Sequence, residues 1–276
     1  MRIVHSVSDF RALRPTLGRL AFVPTMGNLH EGHISLVRAA LEHADRVAAS
    51  IFVNRLQFGP AEDFSRYPRT LAEDAAKLEE AGVDVLFAPD EDEMYPAPQT
   101  YHVEPPASQV GILEGEFRAG HFRGVATVVM KLFQIVQPDI ALFGKKDYQQ
   151  LMVLRNMVAQ FAVPVAVVGC DTIRADDGLA LSSRNGYLST EERRRAPQLH
   201  EELQHIRQEV LGGNREFDEL QAAATTRLDA GGWRTEYVRI CRRVDLQAAE
   251  PAAGEALVVL AAARLGTTRL IDNVEI

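Results

Sequence analysis

Short apolar runs alternate with amphipathic stretches through the first 170 residues of the chain. The runs have the length of buried strands, and the stretches between them place apolar residues at i, i+3 and i+4, as a helix with one buried face does. Strand, crossover helix and strand, repeated, give a parallel sheet that is covered on both faces. The pattern therefore predicts an α/β domain with strands at 20–25, 46–53, 83–89, 139–144 and 163–169, and helices at 34–44, 70–82, 125–137 and 148–161.

The pattern changes near residue 171, where a loop rich in Asp, Arg, Ser and Gly begins. The sequence thus predicts a first domain of residues 1–170 and a smaller α+β domain of residues 171–276. In the smaller domain we expect a charged helix, a Gly-Gly-Asn break, a second helix and three shorter strands, at 190–210, 212–214, 217–231, 235–240, 256–265 and 268–276.

Composition narrows the class of protein. Hydrophobic residues make up 46% of the 276 residues and charged residues 25%, so a large core can form. The formal net charge of -8 argues against nucleic acid as the main partner. Cys170 and Cys241 supply neither a disulfide framework nor a zinc motif. Since no secretory signal or membrane-spanning stretch is visible, we expect a cytoplasmic protein without membrane contact.

The stretch PTMGNLHEGH, residues 24–33, follows the first predicted strand and precedes a helix. Gly27 allows a tight turn, and we expect His30 and His33 to stand together at the helix N-terminus. Backbone N–H groups and the helix dipole favour an anion there, and two imidazoles can donate hydrogen bonds to phosphate oxygens. A single histidine in a turn is more often structural, but the paired His-x-Gly-His sequence favours a phosphate site.

Polar side chains also follow two other predicted strands. Asn54 and Gln57 come after the 46–53 strand, where they either hydrogen-bond a small polar substrate or satisfy the backbone of their own loop. Lys145 and Lys146 come after the 139–144 strand, and Gln150 follows one turn into the next helix. Two adjacent lysines are usually solvated, but at the carboxyl end of a strand one of them can neutralise a phosphate.

Two further stretches are candidates for binding phosphate or carboxylate groups, or are simply solvated loops. In each, cationic or hydroxyl side chains crowd a turn that contains glycine. The later one could close over a triphosphate and exclude water. The residues are Arg118, His121 and Arg123 ahead of one helix, and Ser182, Ser183 and Arg184 in the later loop, near Asp176 and Asp177, which we interpret as turn residues.

These five stretches, in order across most of residues 20–190, closely resemble the pantoate–β-alanine ligase family of the HIGH-motif nucleotidyltransferase superfamily. The resemblance implies a Rossmann-like, doubly wound parallel sheet with a smaller C-terminal lid domain, usually in a homodimer. It also implies ATP-dependent condensation of (R)-pantoate with β-alanine to pantothenate. The expected route is a pantoyl-adenylate, with release of AMP and pyrophosphate, and Mg²⁺ is expected to accompany the ATP phosphates.

The resemblance further implies a role for individual residues. Catalytic roles are assigned to His33, which corresponds to the family's proton donor, and to His30 and Lys146. Pantoate and β-alanine are assigned to Gln57, Gln150 and Asn54. The residues assigned to ATP are Met26, Gly27, Asn28, Leu29, His30, Glu31, Gly32, His33, Gly144, Lys145, Lys146, Asp147, Ile173, Leu181, Ser182, Ser183 and Arg184.

Four positions depart from the family pattern. Arg55 and Leu56 replace a usual Pro-Met pair, which adds a charge near the expected pantoate pocket and frees the loop. Ala119 replaces a proline, and Asp171 stands where a proline is common. None of these positions carries an assigned catalytic role, so the departures bear on affinity and loop order.

Two other functions are compatible with parts of this pattern. One is a HIGH-family nucleotidyltransferase that adenylates a phosphate acceptor, which would need a basic pocket in place of Gln57 and Gln150. The other is a non-catalytic nucleotide-binding protein that kept the fold. The presence of His33 and Lys146 argues against the second.

Overall fold

The computed structural model describes residues 1–60, 62–250 and 254–276. The chain divides into two compact units. The first unit comprises Met1–Lys145 and Val153–Asp171, and the second comprises Lys146–Met152 and Thr172–Ile276. The first unit is therefore interrupted by a short segment that belongs to the second.

A parallel sheet of six strands, counted over the described residues, forms the centre of the first unit. Its spatial order is β1-β4-β3-β2-β5-β6, and all its pairs are parallel. The order reverses between β2 and β5, which is where ligands of doubly wound sheets bind, beyond the carboxyl ends of the strands. The strands are β1 Arg2–Val4, β2 Leu20–Thr25, β3 Arg46–Ile51, β4 Val85–Phe87, β5 Ile140–Gly144 and β6 Ala166–Cys170.

Helices cover this sheet. Apolar side chains of the central strands, such as Val23 and Leu142, pack with Val37 and Leu78 of two helices in a continuous core. Burial of this kind supplies most of the stability of such a layer. The helices are α1 Val7–Leu13, α2 Glu31–His43, α3 Leu71–Glu80, α4 Glu91–Met94, α5 Ala107–Val110, α6 Glu114–Phe117, α7 His121–Val136 and α8 Tyr148–Gln160, the last shared by both units.

In the described residues of the second unit, two long helices and an antiparallel sheet pack around a separate core, which includes Leu203, Ile206, Val238 and Val259. The sheet has the order β7-β8-β9. Together the two sheets confirm the predicted α/β class with a smaller α+β part. The elements are α9 Thr190–Arg195, α10 Gln198–Leu211, α11 Phe217–Ala230, β7 Trp233–Arg242, β8 Leu257–Leu265 and β9 Thr268–Glu275.

The prediction of one charged helix over 190–210 is wrong, because the chain breaks between α9 and α10 at Ala196 and Pro197. Proline has no N–H for the bond to the carbonyl four residues earlier, and its ring clashes with that carbonyl. A capping box between Ser189 and Glu192 stabilises the start of α9. Within the described parts of the chain, no helix combines the length and the apolar character that crossing a membrane requires.

Candidate active site

The turn between β2 and α2 contains two residues in the left-handed region, Gly27 with φ 84° and Asn28 with φ 52°. The Thr25 hydroxyl donates to the carbonyl of Ser50 at 2.7 Å and accepts from the N–H of Gly27 at 3.2 Å. An ideal Cβ on Gly27 would lie 3.1 Å from both Asp74 Oδ2 and Ile51 Cγ2. The turn therefore needs glycine both for its φ and for its space.

His30 and His33 lie together at the start of α2, as the sequence predicts. His30 Nδ1 accepts from the N–H of Gly32 at 3.2 Å, and His33 Nδ1 accepts from the N–H of His30 at 3.3 Å. The two ring centroids are 4.1 Å apart. Since each Nδ1 accepts a hydrogen bond, a neutral ring carries its hydrogen on Nε2. Each ring can thus donate from Nε2 at a helix N-terminus, where an anion is favoured.

The side chain of Asp74, on α3, hydrogen-bonds to the turn between β2 and α2. It accepts from the N–H groups of Asn28 and Leu29, each at 2.7 Å, and from the hydroxyl of Thr70 at 2.9 Å, and it is fully buried. One turn along α3, Lys77 Nζ donates to the carbonyl of Leu29 at 2.8 Å. Neither residue was singled out from the sequence. Asp74 could have been identified from its position, because it lies four residues before the buried Leu78 and so places a carboxylate on the apolar face of the helix.

Asn54 and Gln57 form a hydrogen-bonded pair. Asn54 is buried, and its Nδ2 donates to Gln57 Oε1 at 3.0 Å and to the carbonyl of Gly124 at 3.3 Å. Its Oδ1 accepts from the hydroxyl of Tyr95 at 2.8 Å and from the N–H of Leu56 at 3.3 Å. With its oxygen on Asn54, Gln57 directs Nε2 toward the sulfur of Met26 at 3.2 Å. Gln57 is therefore oriented as a hydrogen-bond donor beside the histidine turn.

The first turn of α7 supports the backbone of Gln57. His121 Nδ1 donates to the Gln57 carbonyl at 2.8 Å, and the other ring nitrogen accepts from Arg118 at 3.0 Å. An ideal Cβ on Gly124 would lie 2.1 Å from the carbonyl oxygen of Leu56, so only glycine fits this approach. We refer to His121, Gly124 and the contacts they make with residues 54–57 as the α7 seat.

The basic residues at 118–123 are paired with acidic side chains. Arg118 binds Glu62 through two contacts of 2.7 and 2.8 Å, and Arg123 lies 3.1 Å from Glu104. These pairs, with the His121 contact to Gln57, favour a supporting role over the anion site that the sequence suggested for Arg118, His121 and Arg123. Bidentate arginine–carboxylate pairs also fix geometry more strongly than single contacts do.

The contribution of His121 to the stability of the fold depends on pH. Burial, helped by the nearby Arg118, lowers the pKa of His121 from 6.5 to about 4. Because the folded state holds this pKa below its ordinary value, the stability that His121 contributes is complete above about pH 6.5 and is lost as the pH falls toward 4. The loss should be on the order of 3 kcal/mol of unfolding free energy.

Urea unfolding at about pH 7 and about pH 4.5 would measure this loss. In His121→Gln, the amide can still donate to Gln57 and accept from Arg118 but does not titrate, so we expect a shallower dependence. Equal pH dependence in the wild type and the variant would contradict this account of His121.

The positive charge of Arg55, one of the departures from the family pattern, is paired with a nearby carboxylate. Arg55 Nε lies 2.7 Å from Glu91 Oε1, and its second contact with the same carboxylate is 3.2 Å. The guanidinium also lies over the ring of Phe64, 4.8 Å from its centroid. The extra charge is therefore paired at an exposed position. Asp171, the other charged departure, pairs with Lys145 at 2.7 Å.

In the second unit, Lys146 and Gln150 lie one turn apart, and both are half-buried. The carbonyl of Lys146 accepts from Asn273 Nδ2 at 2.9 Å. Tyr148, between them, donates its hydroxyl to Glu275 at 2.8 Å and accepts from Arg243 at 3.2 Å. These contacts anchor the segment to β9 and to the end of β7.

The later serine stretch is a short hairpin followed by a 3₁₀ helix over Ser183–Tyr187. The N–H of Leu181 donates to the carbonyl of Ile173 at 2.9 Å, so these two predicted residues are neighbours. Ser182 caps the 3₁₀ helix by accepting from the N–H of Arg184 at 3.3 Å. Arg174 secures the hairpin through two contacts with the buried Asp272, at 2.6 and 2.8 Å.

The structure thus gathers 26–33, Asn54 and Gln57 in the first unit, and Ile173 with 181–184 in the second. A family model described as pantoate-beta-alanine ligase matches residues 2–275 of the chain. The chain belongs to the pantoate–β-alanine ligase family. It is therefore an enzyme that joins (R)-pantoate to β-alanine in an ATP-dependent reaction, and neither alternative function applies.

Two solved structures of family members are similar to this chain in both sequence and fold. Pantothenate synthetase from Thermus thermophilus is 47% identical, with a TM-score of 0.95 over 100% of this chain and 99% of that chain. Pantoate-beta-alanine ligase from Francisella tularensis is 35% identical, with a TM-score of 0.83 over 100% of this chain and 97% of the other. The latter structure is of a complex with beta-gamma ATP and beta-alanine.

Proposed function

We propose that this pantoate–β-alanine ligase works in two steps through a pantoyl-adenylate. In the first step, a carboxylate oxygen of pantoate attacks the α-phosphorus of ATP, and the bond to pyrophosphate breaks. In the second, the amine of β-alanine attacks the acyl carbon, the bond to AMP breaks, and the nitrogen loses a proton. The observation that carries this proposal is the donor geometry of His30 and His33 beside Gln57.

The two histidines supply the phosphate part of the site. Their Nε2 hydrogens and the N-terminal dipole of α2 can stabilise the negative charge that builds up on the phosphate oxygens during displacement. Because their Nδ1 atoms already accept backbone hydrogen bonds, the rings are held in place before ATP binds. Preorganised donors of this kind stabilise a transition state without a reorganisation cost. His33 also takes the role of proton donor that the family resemblance implies.

Gln57 supplies the pantoate part of the site. Its oxygen accepts from Asn54, so Nε2, which lies beside Met26, is the atom that would donate to a ligand with oxygen acceptors, as the carboxylate and hydroxyl groups of pantoate are. Tyr95 and the α7 seat keep Asn54 and Gln57 in this orientation. Alignment of the carboxylate with the α-phosphorus is the main requirement of a reaction without a covalent protein nucleophile.

Two residues from later in the chain are also assigned to the substrates in this proposal. Lys146 neutralises phosphate charge, and Gln150 contributes to pantoate binding. ATP as the substrate of this chain is supported by the complex of the Francisella relative. The full set of residues we assign to ATP remains Met26, Gly27, Asn28, Leu29, His30, Glu31, Gly32, His33, Gly144, Lys145, Lys146, Asp147, Ile173, Leu181, Ser182, Ser183 and Arg184.

Mg²⁺ would accompany ATP in this scheme. Among the described residues, no three His, Cys, Asp or Glu side chains lie close enough together to form a metal cage. Magnesium commonly takes most of its ligands from substrate phosphates and water, and we propose that ATP holds the ion in this way. When bound, it would screen the phosphate charge. Lys146 would supply the protein's share of that neutralisation.

The wider organisation is also part of the proposal. Residues 1–170 would act as the Rossmann-like domain that binds ATP and pantoate, and residues 171–276 as the smaller lid domain that shields the adenylate from water. We propose a cytoplasmic homodimer, on the family resemblance that the sequence carries. Sedimentation of the purified protein would test the dimer.

Exchange of labelled pyrophosphate into ATP would test the two-step route. With ATP, Mg²⁺ and pantoate but no β-alanine, we expect label to enter ATP, because adenylate formation is reversible while pyrophosphate is present. Omitting pantoate should abolish exchange and serves as the control. A protein that makes pantothenate but shows no pantoate-dependent exchange would contradict the adenylate route.

A further inference from the structure

Two charged side chains of α3 form hydrogen bonds with the turn that precedes the histidine pair. The Asp74 carboxylate takes the two successive N–H groups of Asn28 and Leu29, and the Lys77 ammonium takes the carbonyl of Leu29. Asp74 and Lys77 are three residues apart, so they project from the same side of the helix. An anion on N–H groups and a cation on a carbonyl together fix the direction of the peptide units in the turn.

We infer that Asp74 and Lys77 are positioning residues that set the placement of His30 and His33, and through them the affinity for ATP. This inference rests on the proposed role of the two histidines. His30 follows Leu29 directly and forms the cap of α2, so its ring position depends on the backbone that Asp74 holds. His33 is tied to the N–H of His30 in turn.

A carboxylate is the group that satisfies this position. Two backbone N–H groups and one hydroxyl donate to it, and its two oxygens offer enough acceptor sites for all three. An asparagine of the same shape would bring its own N–H₂ against one backbone N–H and leave a buried donor unsatisfied. The turn, whose N–H groups at Asn28 and Leu29 bond to the carboxylate, would then have to move.

The charge of Asp74 opposes any role as an ATP ligand. A buried anion behind a phosphate site repels the phosphates, and more strongly in a protein interior than in water. Moreover, the N–H groups of Asn28 and Leu29 point to Asp74 and so do not provide these donors to a phosphate. The benefit of Asp74 is therefore geometric: it orders the turn so that the His30 and His33 donors face the ligand.

The effect on the two substrates should differ. Met26, which contacts Gln57, follows directly on β2 and precedes the left-handed residues of the turn. Pantoate contacts through Gln57 should therefore survive a disturbance of residues 28–30, whereas ATP contacts through the histidines should not. A general loss of folded protein would lower the rate equally at every substrate concentration and would leave both KM values unchanged.

The test uses Asp74→Asn and Lys77→Met in the full-length enzyme, with pantoate-dependent ATP–pyrophosphate exchange as the assay. We expect the KM for ATP to rise about tenfold in Asp74→Asn and severalfold in Lys77→Met, with the KM for pantoate changed less than about twofold. Lys77 is an exposed residue, so its variant should fold even if Asp74→Asn does not. In addition, ¹⁵N NMR of the wild type should show hydrogen on Nε2 of His30 and His33, and this pattern should be lost in the variants.

Asp84→Asn is the matched control, because Asp84 also accepts from a backbone N–H, that of Val47 at 2.8 Å, but belongs to the β3–β4 region. It should leave both KM values and the histidine spectra unchanged. Unchanged KM for ATP and unchanged histidine spectra in Lys77→Met, or in folded Asp74→Asn, would overturn the inference. If the wild type itself shows no pantoate-dependent exchange, the proposed two-step function has failed instead.

Discussion

Replacing His33 with alanine is expected to lower the rate of pantoate-dependent ATP–pyrophosphate exchange about 100- to 1,000-fold. The variant loses the donor that we propose for the reacting phosphate and also the acceptor for the N–H of His30. The loss of the cap should cost only about 1 kcal/mol of unfolding free energy, so the protein should stay folded. The rate loss would then report the chemistry, and a thermal melt would verify the fold.

Two variants make this prediction sharper. His43→Ala removes an exposed histidine in the last turn of the same helix and should leave the rate within about twofold of the wild type. In His33→Gln the side chain can donate a hydrogen bond but cannot transfer a proton, and we expect it to recover only part of the rate. Full activity in His33→Ala would remove this histidine from the proposed mechanism.

Replacing Gly124 with alanine is expected to reduce ligase activity about 100-fold, because a displacement of about 1 Å at a positioning group can cost that much. The new methyl group would lie 2.1 Å from the carbonyl oxygen of Leu56, which belongs to the backbone and cannot rotate away. The turn that carries Gln57 must therefore shift from the α7 seat. The gain in helix propensity, about 1 kcal/mol in favour of alanine, is too small to prevent this.

Steady-state kinetics with pantoate as the varied substrate would measure the effect, since we expect kcat/KM for pantoate to fall more than that for ATP. Arg123→Ala is the control, one position away on the same helix, and removes only an exposed pair with Glu104. Its activity should stay within about twofold of the wild type, as usual for exposed ion pairs. Equal activity of Gly124→Ala and Arg123→Ala would show that the seat does not position Gln57.

Much of the fold could be predicted from apolar periodicity, because the central strands and the helices against them are long and strongly patterned. β2 occupies the predicted range, and the other long elements of the first unit differ from theirs mainly at the ends. β1 was not predicted, since three residues carry no period and this strand exists through its pairing with β4. The break at Pro197 could have been predicted from the proline alone.

The candidate site could be predicted where its functional residues are close together in the sequence. His30 and His33 are three residues apart at a strand-to-helix turn, so local geometry alone brings them together. The residues that support the site are different, because Asp74 lies 45 residues from Leu29 in the sequence and Tyr95 lies 41 residues from Asn54. Gly124 meets Leu56 only after the sheet and α7 have assembled. Such contacts depend on tertiary packing, which a single sequence does not reveal.

The interruption of the first unit has a consequence for synthesis on the ribosome. Lys146–Met152 emerges before β6, yet it belongs with the second unit, and Tyr148 bonds to Glu275, which lies 127 residues later. At the usual speed of translation this partner follows after roughly 6 to 25 seconds. During that interval the segment is tethered to a nearly complete α/β sheet without its final neighbours. The residues of β9, which are made long after Lys146, are therefore the ones that complete its surroundings.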